Sequence, residues 1–306
     1  MTSPIALFVY SRPDHTRATV EALLKNPEAS NSDLIVFSDA ARTVDKEQSV
    51  RLVRDYVAGI QGFRSLIVHH RPQNFGLAKS IIDGVTHVLA EHKRVIVLED
   101  DLVTSPYFLR YMNAALDRYA DDERVISVHG YVYPVQQSLP EAFFLRGADC
   151  WGWGTWRRGW AQFNPDGQVL LDELKRQNLL EAFDLNGAYS YSGMLKGQIN
   201  GSNDSWAVRW HASAFLANKL TLYPGRSLTH NIGNDNTGTH CGTSTAFDAK
   251  MSATPICLDS VVIDESEAAR KTIEEFFRAK RSPLQRLIAR LMPDNILQRL
   301  IGVAKD

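Results

Sequence analysis

Cysteine is scarce in this chain. Three residues, Cys150, Cys241 and Cys257, are spread through 306 positions and never form a C-x-x-C pair. That argues against a zinc ribbon or a disulfide framework and suits a reducing, cytoplasmic setting. Charge of either sign is not in excess: the formal net charge is −1, so no global field favours nucleic acid. No apolar stretch approaches the roughly 20 residues of a membrane span. A basic n-region is missing too, because the first apolar run already begins at Ile5, so a signal peptide is not expected. Two familiar phosphate cradles are absent, G-x-x-x-x-G-K-[ST] anywhere and G-x-G-x-x-G after the first run. A P-loop nucleotidase and an ordinary dinucleotide oxidoreductase are thereby disfavoured. There is no internal repeat or low-complexity segment. What is present is ordinary for a soluble protein, 44% apolar and 23% charged, and long enough for one large α/β domain or one with an appendage.

The first 130 residues alternate between two periods. Apolar runs at 5–10, 34–37, 66–69, 95–98 and 125–128 predict strands. Helical spacing predicts helices over 14–25, 45–60 and 77–92. Strand–helix alternation implies βαβ units and a doubly wound, mostly parallel sheet. The texture then changes. Residues 146–163 hold four of the six tryptophans, 169–200 read as loosely amphipathic helix, and 229–243 form a polar Gly/Asn/Thr-rich loop.

The most informative segment is Val-Ile-Val-Leu-Glu-Asp-Asp, 95–101. Four consecutive apolar residues predict a central parallel strand buried on both faces. Such a strand delivers Glu99, Asp100 and Asp101 to the carboxyl edge of the sheet, where open α/β folds bind ligands. Three crowded acids repel one another unless a cation sits among them, and a divalent metal carrying a diphosphate meets that need. They could alternatively cap a helix starting near Pro106, but three adjacent acids exceed what a cap requires.

Three preceding βα units, the acidic turn and the aromatic segment together resemble the GT-A glycosyltransferases. Leu98-Glu99-Asp100-Asp101-Leu102 is similar to the acidic motif of the eukaryotic N-acetylglucosaminyltransferase that starts complex N-glycans, and to bacterial family-2-like transferases of surface polysaccharide synthesis. Cys150-Trp-Gly-Trp-Gly-Thr-Trp-Arg-Arg158 resembles a Trp-Gly-x-x-Thr-Trp stretch of the bacterial enzymes. The likeness covers about residues 1–245. It implies that Asp101 contacts a divalent metal, Mn2+ or Mg2+, and that Glu99 and Asp100 lie near the donor sugar or ribose. By the same likeness Tyr10 and Ser11, ending the first strand, hold base and ribose, and Asp39, ending the second, hydrogen-bonds the base. Asn74-Phe75-Gly76-Leu77-Ala78-Lys79 resembles an N-x-G-x-A-[RK] turn, which gives Asn74 and Lys79 donor-binding places, with Lys79 aimed back at phosphate. Asn203-Asp204-Ser205-Trp206 resembles an Asp-Asp-Trp stretch carrying the general base, so Asp204 takes that role, with a one-residue offset before Trp206. The loop 229–243 is similar to one that completes the metal site, which points to His240 and Asp235.

Other readings come from the residues themselves. Arg12 can face a diphosphate bidentately, or stand as a solvated loop arginine before Pro13. Aromatic faces can stack on a sugar, so Trp153 and Trp156, with Arg157 beside them, are acceptor-binding candidates, although most tryptophans of 151–160 serve equally as core anchors. Residues 270–306 carry nine Lys/Arg against four acids, with apolar residues at helical spacing. They predict two short basic amphipathic helices that either touch an inner membrane surface through 280–303 or pack within the protein or an oligomer.

These expectations combine into a GT-A, Rossmann-like domain over 1–265, split into a nucleotide-sugar half (1–130) and an acceptor half (131–265), with a basic helical tail over 266–306. The implied activity is inverting transfer of a hexosyl or N-acetylhexosaminyl group from a nucleotide-diphosphate sugar to a glycan or lipid-linked glycan, in bacterial surface polysaccharide or lipopolysaccharide synthesis. The partners are that donor and acceptor, with no nucleic acid. The expected location is cytoplasmic, peripheral on the inner membrane. The alternatives are a nucleotidyltransferase, which would normally place a Gly-rich basic loop where Ser11-Arg12-Pro13-Asp14 stands, and a non-catalytic carbohydrate-binding or scaffold protein on the same fold.

Overall fold

The structure is a computed structural model that describes residues 2–235 and 245–280. Every early apolar run becomes a strand: β1 (Ile5–Val9), β2 (Asp33–Ser38), β3 (Ser65–His70), β4 (Arg94–Glu99) and, after the three-residue β5 (Leu102–Thr104), β6 (Val125–His129). Between them lie α1 (Pro13–Leu24), α2 (Glu47–Ala58), α3 (Leu77–Glu91) and α4 (Phe108–Arg118). Pro13 opens α1 at a position where a missing N–H costs nothing. The second half supplies β7 (Ala142–Arg146), β8 (Trp153–Trp156), the short α5 (Arg157–Trp160), then α6 (Gly167–Arg176), α7 (Leu180–Phe183), α8 (Tyr191–Ile199) and α9 (Trp206–Leu216). It closes with β9 (Leu220–Pro224), β10 (Thr229–Asn231) and α10 (Glu267–Lys280). The helical stretch expected over 169–200 is broken twice, where Asn178, Leu185 and Asn186 take left-handed φ values of 50–56° that a continuing helix cannot hold.

The eight-stranded sheet runs β3-β2-β1-β4-β8-β6-β9-β7. From β3 to β4 all pairings are parallel, with Ile5 opposite both Leu34 and Ile96. β8 enters antiparallel between β4 and β6, so β4 is central but parallel on one side only. The strict alternation of β1 and β4 shows in the two cores. Ile5, Leu7, Val9, Ile96 and Leu98 face α1, α2 and α4, whereas Ala6, Phe8, Val95 and Val97 face α3, α5 and α9. Each of these side chains larger than Ala6, buried whole, contributes on the order of 1.5–3 kcal/mol of transfer free energy. Alternation therefore puts Glu99 on the α3/α9 face and starts the turn at Asp100.

The boundary expected at 265/266 is not a break in packing. α10 buries Ala269, Ile273 and Phe277 against Phe143 and Tyr223, and Ser266 N donates to Phe144 O at 2.8 Å. The first part of the expected tail thus belongs to the main body, and 281–306 lie outside the described residues. Among the described residues no helix is long and apolar enough to cross a membrane.

Candidate active site

The ends of β1 and β4 meet at the acids. Asp100 and Asp101 are 3% and 7% exposed, and the Arg12 guanidinium, at the N-cap of α1, ion-pairs with both, reaching Asp101 Oδ2 at 3.0 Å. Tyr10 N donates to Asp100 Oδ2 at 3.3 Å, and Thr19 Oγ1, about two turns into α1, donates to Asp100 O at 2.9 Å. The capping alternative does not hold: α4 starts at Phe108 with Tyr107 at its N-cap and receives no side-chain cap. Of the two readings of Arg12, the structure rejects the solvated loop arginine.

One guanidinium serves three carboxylates. Burial, then repulsion from Asp101 and Asp100, pushes the Glu99 carboxyl up to about 8. Burial likewise lifts Asp100 to about 6 against the pull of Arg12. The turn is backed by β10, which pairs antiparallel with β5, Asn231 opposite Leu102. Ile232 N then donates to Asp101 O at 2.8 Å. The next residue, Gly233, lies so close that a Cβ there would stand 2.2 Å from Asp101 Oδ2 and 3.0 Å from Arg12 Nη1. His15 of α1 holds the same segment, its Nε2 3.3 Å from Ile232 O and 3.1 Å from Asp235 Oδ2. Asp235 is thus held to α1 two residues past Gly233, while His240 lies outside the described residues.

Among the described residues no three His, Cys, Asp or Glu side chains form a closed metal cage. The donor set nevertheless fits a hard divalent cation: carboxylate oxygens only, short of positive charge, on an open edge. Mg2+-type sites of this kind use one or two carboxylates and complete their shell with substrate phosphate.

Around this centre the other candidates divide. Asp39 is 5% exposed and its carboxylate is already full: Oδ1 accepts from Ala40 N (2.9 Å) and Phe75 N (2.8 Å), Oδ2 from Asn74 Nδ2 (3.1 Å) and Gly76 N (3.0 Å). Asn74 also donates to Ala40 O at 2.7 Å. Both residues lock the β3–α3 turn, which Gly76 enters at φ +73°, and a base could bond Asp39 only by displacing one of these donors. Tyr10 Oη accepts from Arg42 N at 3.0 Å, and Ser11 lies half-buried between Tyr10 and Arg12. Lys79, in the first turn of α3, stacks its ammonium 4.4 Å from the centre of Phe75, whose ring meets Arg71 at 4.6 Å.

Lys79 also lines a cleft of about 420 Å³ with Ile82, Asp83, Asp204 and Arg209. Asp204 is exposed, 3.3 Å from Arg209 Nη2. It does not cap α9, because Ser205 does, its hydroxyl accepting from Val208 N at 3.2 Å. The carboxylate therefore stands clear at the end of α9 that faces the start of α3.

Three acceptor-binding expectations are corrected. Trp153 (0% exposed) and Trp156 (4%) are core residues of β8, Trp153 packed against Trp206 and Trp210, and Trp156 donating Nε1–H to Leu116 O at 3.0 Å. Arg157 caps the C-terminus of α3, donating to Leu89 O (2.5 Å) and Ala90 O (2.9 Å). Neither tryptophan can touch a ligand, and Arg157, although exposed, spends its guanidinium on the end of α3. The residues of this string that do border the acidic edge are Asp149 and Trp151, both half-buried. Alternation counted back from Trp153 would put Trp151 on the same face; Gly152, at φ +71°, breaks the chain between them and leaves Trp151 in the loop.

Residues 5–154 match the family model described as Glycosyl transferase family 2. No curated protein matches the chain. Among solved structures it is similar to the mannosyltransferase PcManGT from Pyrobaculum calidifontis in complex with GDP-Man and Mn2+, at 14% identity and a TM-score of 0.32, over 44% of this chain and 36% of that one. It is also similar to S. aureus TarS, at 16% identity and a TM-score of 0.33 (47% and 24% of the two chains), and to TarS 1-349, at 13% and 0.34 (57% and 49%). The chain thus spans less than half the length of each. The matched span, just under half of the chain, holds β1 to β4, all three acids and the loop before β8.

Proposed function

We propose that the chain is an inverting glycosyltransferase that moves a sugar from a nucleotide-diphosphate donor to a hydroxyl of a glycan or lipid-linked glycan, in the cytoplasmic assembly of a bacterial surface polysaccharide. The observation that carries this reading is the buried Glu99-Asp100-Asp101 turn, set at the carboxyl edge between β1 and β4 and matched by a single guanidinium. Asp101 would hold a divalent cation, Mn2+ or Mg2+, which when bound acts as a Lewis acid on the departing diphosphate. Arg12 orients Asp100 and Asp101 and can turn its guanidinium to phosphate oxygens. Lys79 adds a second positive charge from the first turn of α3. The Asp39–Asn74 lock fixes the wall on which the nucleoside lies.

Asp204 is the general base. Its carboxylate takes the proton from the acceptor hydroxyl as that oxygen bonds the anomeric carbon, and the bond from that carbon to the diphosphate oxygen breaks. Attack from the side opposite the leaving group inverts the centre.

The test is thermal unfolding against UDP-, GDP-, dTDP- and CMP-linked sugars, with and without Mn2+. One base should raise the Tm in a metal-dependent way, and Asp101→Asn should remove the metal dependence. Saturation at ~100 times the dissociation constant adds about 2.7 kcal/mol. No shift with any nucleotide sugar would reject the reading.

A further inference from the structure

Asp149 has no part in the reaction as described, yet the fold takes care over its position. Its loop, 147–152, starts and ends on glycines with φ of +99° and +71°. A Cβ at Gly147 would stand 2.5 Å from His211 Cε1, and one at Gly152 2.6 Å from Thr229 Cγ2. Because β8 runs antiparallel to β4 with Trp153 opposite Val97, the loop arrives at the edge where Glu99 ends β4. Trp151 N donates to His129 Nε2 and Trp151 O accepts from Thr229 Oγ1, both at 3.0 Å. Thr229 begins the β10 strand, and Ile232, just past its end, holds Asp101. One short segment therefore holds the backbone carbonyls of Trp151 and Asp101, beside and at the two carboxylates, in a common frame. The Cys150 thiol, between them, is pushed up by burial first and then by Asp149, Glu99 and Asp101.

The Asp149 carboxylate is not full. Oδ1 accepts from Cys150 N at 2.9 Å and Oδ2 from Tyr133 Oη at 3.1 Å, and the Cys150 thiol also bonds it, which leaves about one of its four lone-pair sites. Among the described residues it has no ion pair. Beside it Trp151 is half-buried, its ring braced by Tyr131 at 4.7 Å and Phe247 at 6.0 Å. A carboxylate that accepts from hydroxyls, next to an indole face that covers C–H groups, is chemistry suited to a pyranose. An unneutralised carboxylate also repels anions.

On the glycosyltransferase reading above, we propose that Asp149 and Trp151 form the acceptor subsite, with Tyr133 orienting the carboxylate, and that the acceptor's terminal unit is a neutral hexopyranoside rather than a uronic acid or sugar phosphate.

The test is saturation-transfer NMR on the full chain with p-nitrophenyl glycosides of glucose, galactose, mannose, N-acetylglucosamine and glucuronic acid. Nucleotide-sugar thermal shifts are recorded on the same samples. At least one neutral glycoside should bind, and the glucuronide more weakly. Asp149→Asn and Trp151→Ala should each weaken the neutral glycoside by at least about tenfold, while Trp151→Phe keeps most of it. Nucleotide-sugar shifts should stay as in the native chain, which also reports that each variant is folded. Loss of glycoside affinity together with a lost nucleotide-sugar shift would overturn the local assignment. So would an absence of glycoside binding, unchanged affinity in both variants, or preference for the glucuronide. A native chain that binds glycosides through Asp149 but no nucleotide sugar would instead reject the transferase reading and leave the sugar site standing.

Discussion

Replacing Arg12 by methionine keeps most of the side-chain stem and removes the charge that Asp100 and Asp101 share. The Arg12, Asp100 and Asp101 side chains are 18%, 5% and 10% exposed, so solvent does little to replace the lost guanidinium. At the 3.0 Å separation from Asp101, and at the effective dielectric of about 20 that suits partly buried pairs, each attraction is worth roughly 5 kcal/mol before desolvation. Most of that offsets the cost of burying the ions, and removing one partner of such a group costs about 3–5 kcal/mol. Arg12→Met should therefore lower unfolding free energy by about 3 kcal/mol in urea titration, with the m-value unchanged. The two carboxylates left behind still need a cation. Mn2+ should accordingly stabilise Arg12→Met more than it stabilises the native chain, and Arg12→Met/Asp101→Asn should regain part of the loss without metal. A loss under about 1 kcal/mol, or equal stabilisation of both proteins by Mn2+, would refute the view that one guanidinium stands where positive charge is short.

Asp204→Asn should lower kcat by ~10²–10⁴-fold while the nucleotide-sugar thermal shift persists, because only the proton acceptor is removed; an active variant would reassign the base. Gly233→Ala presses a methyl group into Asp101 Oδ2, so it should cost about 1–3 kcal/mol and raise the Mn2+ concentration for half-maximal activity by ~10–100-fold, read by metal titration of turnover. His129 and His211 are both held below the ordinary histidine range by burial. As pH falls below about 6.5 the unfolded chain takes up protons that the folded chain refuses, so stability falls with acidification. The slope approaches ~1.4 kcal/mol per pH unit for each histidine. His129→Gln should flatten it in urea titrations at pH 7.5 and 5.5.

The strands of the first half were legible because each is an apolar run ended by a polar break. Val95–Leu98 could be placed at the sheet's centre from its composition alone. Its antiparallel neighbour was not legible, since β8 is Trp-Gly-Thr-Trp and carries no run of its own. Burial of Trp153 and Trp156 depends on that insertion between β4 and β6, a non-local pairing that no window of sequence contains. The acceptor expectation failed on that account: core anchoring was expected for most of the four tryptophans of 151–160, but Trp153 and Trp156 were the two picked for stacking, and the fold buries both along with Trp160 and leaves Trp151 half-buried.

The acids show the complementary lesson. Residue type told where charge accumulates, but not how each charge is spent. Asp39 and Asp100 both end strands at the same edge, and both looked free to meet a ligand. Four N–H donors close the Asp39 carboxylate around the β3–α3 turn, whereas the Asp100 and Asp101 carboxylates meet one shared guanidinium and one backbone N–H, that of Tyr10. A carboxylate satisfied by fixed amides gains little by binding a cation, because it would have to give up bonds the turn depends on. One that shares a single mobile cation with its neighbour gains a great deal. The difference lies in what surrounds the oxygens rather than in the residue, and it makes Glu99–Asp101, not Asp39, the place where added positive charge should register in stability.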